Sequence, residues 1–336
     1  METGVVLGAL FAGLSVGLGL TALAGENPLH VLAVMGRSAF GSGYDFGLTL
    51  FYATPLLLCG LSVALAFHAG LFNIGAEGQL TMGALAAAWV GSVCTGVPAV
   101  AAPILAALAA AVAGGFWGWI PGWLKVRRGS HEVINTIMLN FVAFGLANWL
   151  VTGPLRSATS HNPETADVAP QYLMRGHFGE APVSWALPMA LALAVALWFL
   201  LFRTTWGFSI RAAGQNEEAA RFGGLPVGLA RILAMAGAGA LAGLVGVGEV
   251  LGNAGRFRLG FSAEFGFMGI AVALLARNHP LLVIPSSLLF AALHKGAADL
   301  DIETENVTRD LSVILQAVVI LFVAAAGWVV DVRRRR

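Results

Sequence analysis

The sequence predicts an all-α polytopic membrane protein of about ten transmembrane helices with broken or re-entrant segments, and three observations carry that reading. Apolar residues make up 58% of the 336 residues, only 11% are charged, and the mean hydropathy is +0.80. Apolar stretches repeatedly reach the roughly 20 residues that a helix needs to cross a bilayer. Two of these stretches are interrupted by glycines and polar side chains, in "GLFNIGAEGQL" (70–80) and in "GNAGRFRLGFSAEFGFMGIAVALLA" (252–276).

Spans are expected at 4–24, 47–67, 79–97, 99–123, 132–151, 184–202, 227–250, 263–277, 280–298 and 310–330. The first has no basic stretch before it, so it reads as a retained span and not as a cleaved secretory signal. Lys125, Arg127 and Arg128 follow the fourth span, Arg203, Arg211 and Arg221 the sixth, and Arg277 the eighth, while Arg333 to Arg336 close the sequence. With Arg231 at the start of the seventh span, one side holds 12 of the 19 Lys and Arg residues. The excess of basic residues on the cytoplasmic side then places both termini in the cytoplasm. The net charge of +1 carries little by itself. The sequence is read as one transmembrane domain, 1–336, whose longest outer loop, 152–183, is too short for a domain of its own. Trp117, Trp119 and Trp123 cluster beside Lys125 and read as an interfacial aromatic belt. Cys59 and Cys94 lie in apolar segments and read as small buried hydrophobes.

The interruptions are where function is expected. Unwound backbone in lipid leaves N–H and C=O groups without partners, so it is tolerated only where protein or a water-filled cavity supplies them. The two breaks share a faint pattern, Ala76-Glu77 then Met82-Gly83-Ala84 against Ala263-Glu264 then Met268-Gly269-Ile270. Glycine-interrupted short segments in corresponding places point to a path at an internal repeat. A carboxylate such as Glu77 costs on the order of 2.5–3.5 kcal/mol at mid-membrane depth, by analogy with Asp. Phe72, Asn73, Glu77, Gln79, Asn140 and Glu264 are therefore the candidates for lining a route for a small polar solute. A structural alternative stands beside this one, in which Asn73, Glu77 and Gln79 satisfy the unwound chain and lock the break. Asn135 and Asn140 are five residues apart and point about 140° away from one another on a helix, so at most one of them faces a path.

The cytoplasmic loop 203–226 contains a framed short helix. Asn216 is a good N-cap, Glu217 and Glu218 sit in the first turn where the helix dipole favours negative charge, and Gly223-Gly224 before Pro226 ends the element. Residues 217–222 make a helix only about 9 Å long, well below the roughly 12–15 residues that hold together alone. It needs something to dock on. Ala219 and Ala220, beside Phe222, Arg211 and Arg221, suit insertion into a groove on another protein, and the alternative is a solvated connector on the membrane surface.

Several chemistries are excluded. There is no G-x-x-x-x-G-K-[ST] phosphate loop and only two lysines, so the chain is not its own P-loop ATPase. "GLSVG" (13–17) has the nucleophile-elbow spacing, yet Ser15 lies within an apolar span and not on a strand-to-helix turn. "HEV" (131–133) lacks the second histidine of a zinc site, so no metal and no catalytic residue is expected.

Taken in order, "ATPLLLCGLSVALAFHAGLFNIGAEGQLTMGALAAA", "HEVINTIMLNFVA", "GFSIRAAGQNEEAARFGGLPV" and "GFSAEFGFMGIAVALLARNHP" resemble the permease subunits of bacterial ABC importers in the nucleoside and simple-sugar branch. The resemblance covers nearly the whole chain. It implies a ten-helix fold similar to the vitamin B12 importer and ribose-permease class, in the bacterial inner membrane. It also implies partners: two ATP-binding cassettes or one tandem cassette carrying the ATP and Mg, an extracytoplasmic binding protein that is often a lipoprotein, and a second permease, with a heterodimer favoured by the "FNIGAEGQ" form. No cofactor in this chain and no nucleic acid polymer is expected. The "RAAGQNEEAA" loop resembles the family's coupling helix, which assigns Arg211, Gly214, Asn216, Glu217, Ala219, Ala220, Arg221 and Gly224 to ATPase coupling. Nucleosides fit the branch better than pentoses. A proton-coupled secondary transporter using Glu77 or Glu249 is the competing class; it gives no reason for a capped helix in the cytoplasmic loop.

Overall fold

The computed structural model describes residues 2–308 apart from Gly179 and Ala263, and beyond them 310, 313–315, 317, 318, 321, 322 and 325; side chains are described from Gly8 onward apart from residues 9 and 10. Most of the tenth expected span, the closing arginines, Arg309 and Ala263 lie outside the described residues.

The described chain is helical, with isolated strand bridges only in and around the loop 152–183. The helices are α1 (Glu2–Leu23), α2 (Pro28–Phe40), α3 (Gly43–His68), α4 (Ala76–Val93), α5 (Ala102–Arg128), α6 (Glu132–Thr152), α7 (Ala186–Arg203), α8 (Thr205–Gln215), α9 (Glu217–Phe222), α10 (Val227–Gly243), α11 (Phe265–Leu275), α12 (Pro280–Gly296) and α13 (Leu300–Glu303). A π-helical segment, Val247–Ala254, continues α10 to Gly255, where a left-handed backbone (φ 69°) turns the chain. Among the described residues six helical stretches are long and apolar enough to cross a bilayer: Gly43–His68, Ala102–Arg128, Glu132–Thr152, Ala186–Arg203, Val227–Ala254 and Pro280–Glu303.

Local sequence explains the ends. Asn27 accepts a hydrogen bond from Leu29 N (2.9 Å) with Pro28 at the first helical position, and this starts α2. Ser42 and Asp45 bond reciprocally at the start of α3 (3.1 and 2.6 Å), which runs through Pro55 and ends before Gly70 at φ 69°. Gly129, left-handed at φ 66°, closes α5 just after its three basic residues. α2 is an element that the span expectations did not contain: it is too short and too polar, with His30 and Arg37, to score as a crossing.

α3 is the centre of the bundle. Of its most apolar window 78% is buried inside the protein, against 22% for α6, whose Ile134, Met138, Phe141 and Trp149 face outward. The closest helix pair is α5 with α10. A Cβ on Gly114 would stand 2.4 Å from Gly239 O, and one on Gly118 2.4 Å from Met235 O, so the two backbones touch directly. Small residues four apart on facing helices permit this approach, which is a main source of packing energy where lipid is as apolar as leucine. Trp117 is not part of an outward belt with Trp119 and Trp123. It is buried and donates Nε1 to Leu139 O of α6 (3.1 Å), because it faces α6 beside the glycine seam by which α5 packs on α10. Trp119 stacks on Phe116 and Trp123 (5.9 and 6.0 Å).

The loop 152–183 lies over the ends of α4 and the π-helical segment. Tyr172 donates to Cys94 O (2.8 Å) and Gln171 to Thr95 O (2.6 Å). Val168 N and Thr165 N bond to Gly255 O and Phe257 O (2.8 and 3.0 Å). Glu164 pairs with Arg256 (2.7 Å) and Arg258 (3.3 Å), and Arg256 also reaches Asp167 (2.8 Å). A hydrogen bond from Ser160, followed by the Arg256 guanidinium, holds the Glu164 carboxyl below the usual carboxylate range.

Candidate functional site

After α3 the chain turns at Gly70, runs back into the protein as four residues without regular secondary structure (71–74) and a turn at Gly75, and restarts as α4 at Ala76. Polar side chains meet the needs of this re-entrant stretch. Asn73 and Gln79 face each other as a closed amide pair, Nδ2 to Oε1 at 2.8 Å and Nε2 to Oδ1 at 3.0 Å. Asn73 Oδ1 also accepts from Gly75 N (3.1 Å), and Nδ2 reaches Ser62 Oγ of α3 (3.3 Å). From α6, Asn140 Oδ1 accepts from Gly78 N (2.8 Å) and its Nδ2 donates to Ile74 O (3.0 Å). Asn135 turns the other way and bonds Ser130 Oγ (2.6 Å). Asn73 is wholly buried, and Gln79 and Asn140 nearly so. A buried peptide group without a partner costs about 1–3 kcal/mol, so these three amides hold the break open as folded structure. Phe72 is half-buried with its ring 5.1 Å from that of Phe67.

Glu77 differs from the amides. It lies in the first turn of α4, and its Oε2 accepts from Gly266 N at 2.6 Å, in the first turn of α11. Two broken helices thus present their N-termini to one carboxylate, which the partial positive charge of each end stabilises. The approach leaves no room for a side chain on α11, since a Cβ on Gly266 would lie 2.4 Å from Glu77 N. Glu264, left-handed at φ 60°, precedes α11 and is exposed. The Ala-Glu pattern common to the two interruptions therefore marks two helix starts that meet in space.

Beside this junction is a cavity of about 330 Å³, lined by Glu77, Thr81, Phe144, Phe257, Ser262 and Glu264 among others, with Phe261 and Phe267 adding aromatic surface. Of the six candidate path residues the structure brings Glu77 and Glu264 to this cavity, while Asn73, Gln79 and Asn140 stand behind it as braces. The segment 257–262 lies within the second interruption, although none of its residues was singled out, and Phe144 of α6 carried no sequence signal.

At the other end of the re-entrant stretch is the short helix. α9 spans Glu217–Phe222, with Asn216 Oδ1 accepting from Ala219 N (3.0 Å) and Gly224 left-handed at φ 75°. Ala219 is exposed and lines a groove of about 430 Å³ together with Phe208, Arg211, Gln215, Asn216 and Gly223. Ala220 lines the same groove at its floor, nearly buried against the protein's own core, so Ala219 is the more exposed of the two. Phe222 is 93% exposed. Arg211 sits over the Phe202 ring at 5.0 Å. Gly214 packs against Gly70, and Arg221 pairs with Glu217 (2.5 Å). Glu217 also accepts from Arg231 of α10 (2.6 Å), and this bond, with Arg221 adding to it, holds its carboxyl below the usual range. Arg231 entered the sequence reading only as a counted charge. A lone arginine one turn into an apolar helix requires a partner, and that was the available signal.

Comparison with known proteins places the chain among permeases. Residues 46–324 match the profile of the branched-chain amino acid transport system permease component family. The chain is 39% identical over 329 residues to the glucose ABC transporter permease protein TsgB13 of Haloferax volcanii, covering 94% of this chain and 84% of that one. It is 38% identical over 328 residues to the guanosine ABC transporter permease protein NupP of Bacillus subtilis, covering 96% and 93%. It is 31% identical over 329 residues to the nucleoside ABC transporter permease protein NupB of Lactococcus lactis, covering 95% and 90%.

Proposed function

The chain belongs to the family of branched-chain amino acid transport system permease components, and from that premise we propose that this multi-pass permease component of an ABC transporter imports nucleosides past Glu77 and Glu264. The observation that carries the substrate class is the cavity lining. Phe144, Phe261 and Phe267 offer accessible faces on which a heteroaromatic base stacks, while two carboxylates and Ser262 accept or exchange hydrogen bonds with ribose hydroxyls. The guanosine and nucleoside relatives support this reading. The glucose relative supports a second one, a simple sugar, whose hydroxyls the carboxylates would bind and whose apolar ring face the phenylalanines would cover.

Import runs by alternating access in this reading. ATP binding and hydrolysis occur on a separate ATPase, two cassettes or one tandem chain, which grips α9 through the groove at Ala219. A second permease completes the path, in a heterodimer, and a binding protein delivers solute at the loop 152–183. Both termini and α9 then lie on the cytoplasmic side, as the distribution of basic residues favours. Because no nucleotide site is read in this sequence, the ATPase acts mechanically, by biasing a two-state element.

The test is reconstitution of the chain with its ATPase, second permease and binding protein, comparing ATP-dependent uptake of guanosine, nucleobases, ribose and glucose. Saturable nucleoside uptake that sugars fail to compete is the expected result. Uptake by this chain alone on a pH gradient would refute it. Ala219→Trp, which fills the groove, should abolish uptake while the complex still inserts.

A further inference from the structure

Taking the import reading as its basis, we propose that Arg231 is the positioning residue that carries movement of α9 into the re-entrant stretch 69–75 and so to the cavity at Glu77.

Its guanidinium touches three elements at once. Nη1 donates to Glu217 Oε2 of α9 at 2.6 Å, Nη2 approaches Ala213 O in the last turn of α8 at 3.5 Å, and Nε approaches Ala69 O, the residue that caps α3, at 3.4 Å. The group is a planar fork, so these three contacts move together. It is largely shielded, with its side chain 14% exposed, so water competes weakly for the donors.

A second contact runs alongside it. Gly70 and Gly214 meet backbone to backbone: a Cβ on Gly70 would lie 2.9 Å from Gly214 Cα, and one on Gly214 would lie 2.3 Å from His68 O and 2.6 Å from Gly70 N. No flexible side chain lies between α8 and the start of the re-entrant stretch to absorb a displacement. Three residues beyond Gly70 the Asn73–Gln79 amide pair fixes the stretch to α4, two residues from Glu77. From Glu77 the line continues to Gly266 N and α11. A push on α9 is thus handed through Arg231 and the glycine contact to both broken helices. Arg221, which holds the other oxygen of Glu217, is 67% exposed and touches nothing in the stretch, so it lends charge to Glu217 without serving the same role.

The experiment measures solute imported per ATP hydrolysed, together with solute KM and transport kcat, in the reconstituted complex with ATPase, second permease and binding protein. In Arg231→Gln, transport kcat should fall about tenfold or more while solute KM and ATP hydrolysis stay within about twofold. Arg231→Lys, which keeps the charge but not the fork, should recover only part of the yield. Glu217→Arg with Arg231→Glu rebuilds the ion pair yet offers an acceptor to the Ala69 carbonyl, so it should stay uncoupled. A normal yield per ATP in Arg231→Gln or Arg231→Lys, or full recovery in the swap, overturns the proposal and leaves the import reading in place. No ATP-dependent uptake by the unmodified complex removes both.

Discussion

Asn73→Ala tests whether the polar break is held by its amides. The substitution removes both bonds of the amide pair (2.8 and 3.0 Å), the acceptor for Gly75 N (3.1 Å) and the contact with Ser62 (3.3 Å). Hydrogen bonds between membrane-buried groups average about 0.6 kcal/mol each, and buried polar groups left without partners cost about 1–3 kcal/mol each. With the Gln79 amide and Gly75 N–H orphaned, the loss should be about 2–5 kcal/mol. Unfolding of the purified chain in mixed micelles, titrated with denaturing detergent, measures it. The double variant Asn73→Ala/Gln79→Leu should recover part of the loss, because removing both partners leaves fewer unpaired groups than removing one. A single variant within about 0.5 kcal/mol of the unaltered chain would refute the bracing role. If the double variant regains stability but not uptake, Asn73 or Gln79 also touches solute.

Three further outcomes are expected. Asn216→Ala removes the cap of α9, should cost that element about 1 kcal/mol, and should lower solute transported per ATP in proteoliposomes without changing the yield of assembled complex. Gly114→Val drives a side chain into the carbonyl of Gly239, 2.4 Å from where its Cβ must stand, and should reduce recovery of monodisperse protein in size-exclusion chromatography to background. Glu164, whose carboxyl is held below its ordinary 4.5, binds fewer protons in the folded state, so its contribution is complete at neutral pH and is lost as pH falls through the lowered value. Thermal melts of the unaltered chain should therefore drop on the acid side of 4.5, and Glu164→Gln should flatten that drop.

Where a local signal decided the outcome, the sequence was readable. Asn216, Gly223-Gly224 and Pro226 framed α9 as residues 217–222, and the structure has Glu217–Phe222. The interruptions at 70–80 and 252–276 were visible because glycines and carboxylates in an apolar run have no other explanation. What the interruptions do with their polar groups was not visible. Asn73 finds Gln79 six residues away, but Glu77 finds Gly266 N after 189 residues and Asn140 finds Gly78 N after 62, and no single sequence encodes such pairings. Ala219 and Ala220 line one groove, but that Ala220 is nearly buried at its floor is set by contacts with distant helices, which a six-residue helix is too short to reveal by periodicity. α2 begins with a local capping signal, Asn27-Pro28, but at 13 residues it is too short to stand out in a hydropathy profile. Of the ten expected crossings, six have helices of sufficient length among the described residues.

The outward face of α6 bears on how the subunit lives before assembly. In water a strip containing Ile134, Met138, Phe141 and Trp149 would drive aggregation, but in a bilayer hydrocarbon covers it as well as a protein neighbour would. That face therefore makes no demand on a protein neighbour in the membrane. The exposed carboxylate Glu264, beside the aromatic-lined cavity, is different, because hydrocarbon offers it no partner. Under the import reading, a second permease or the solute itself has to meet the demand that lipid leaves open.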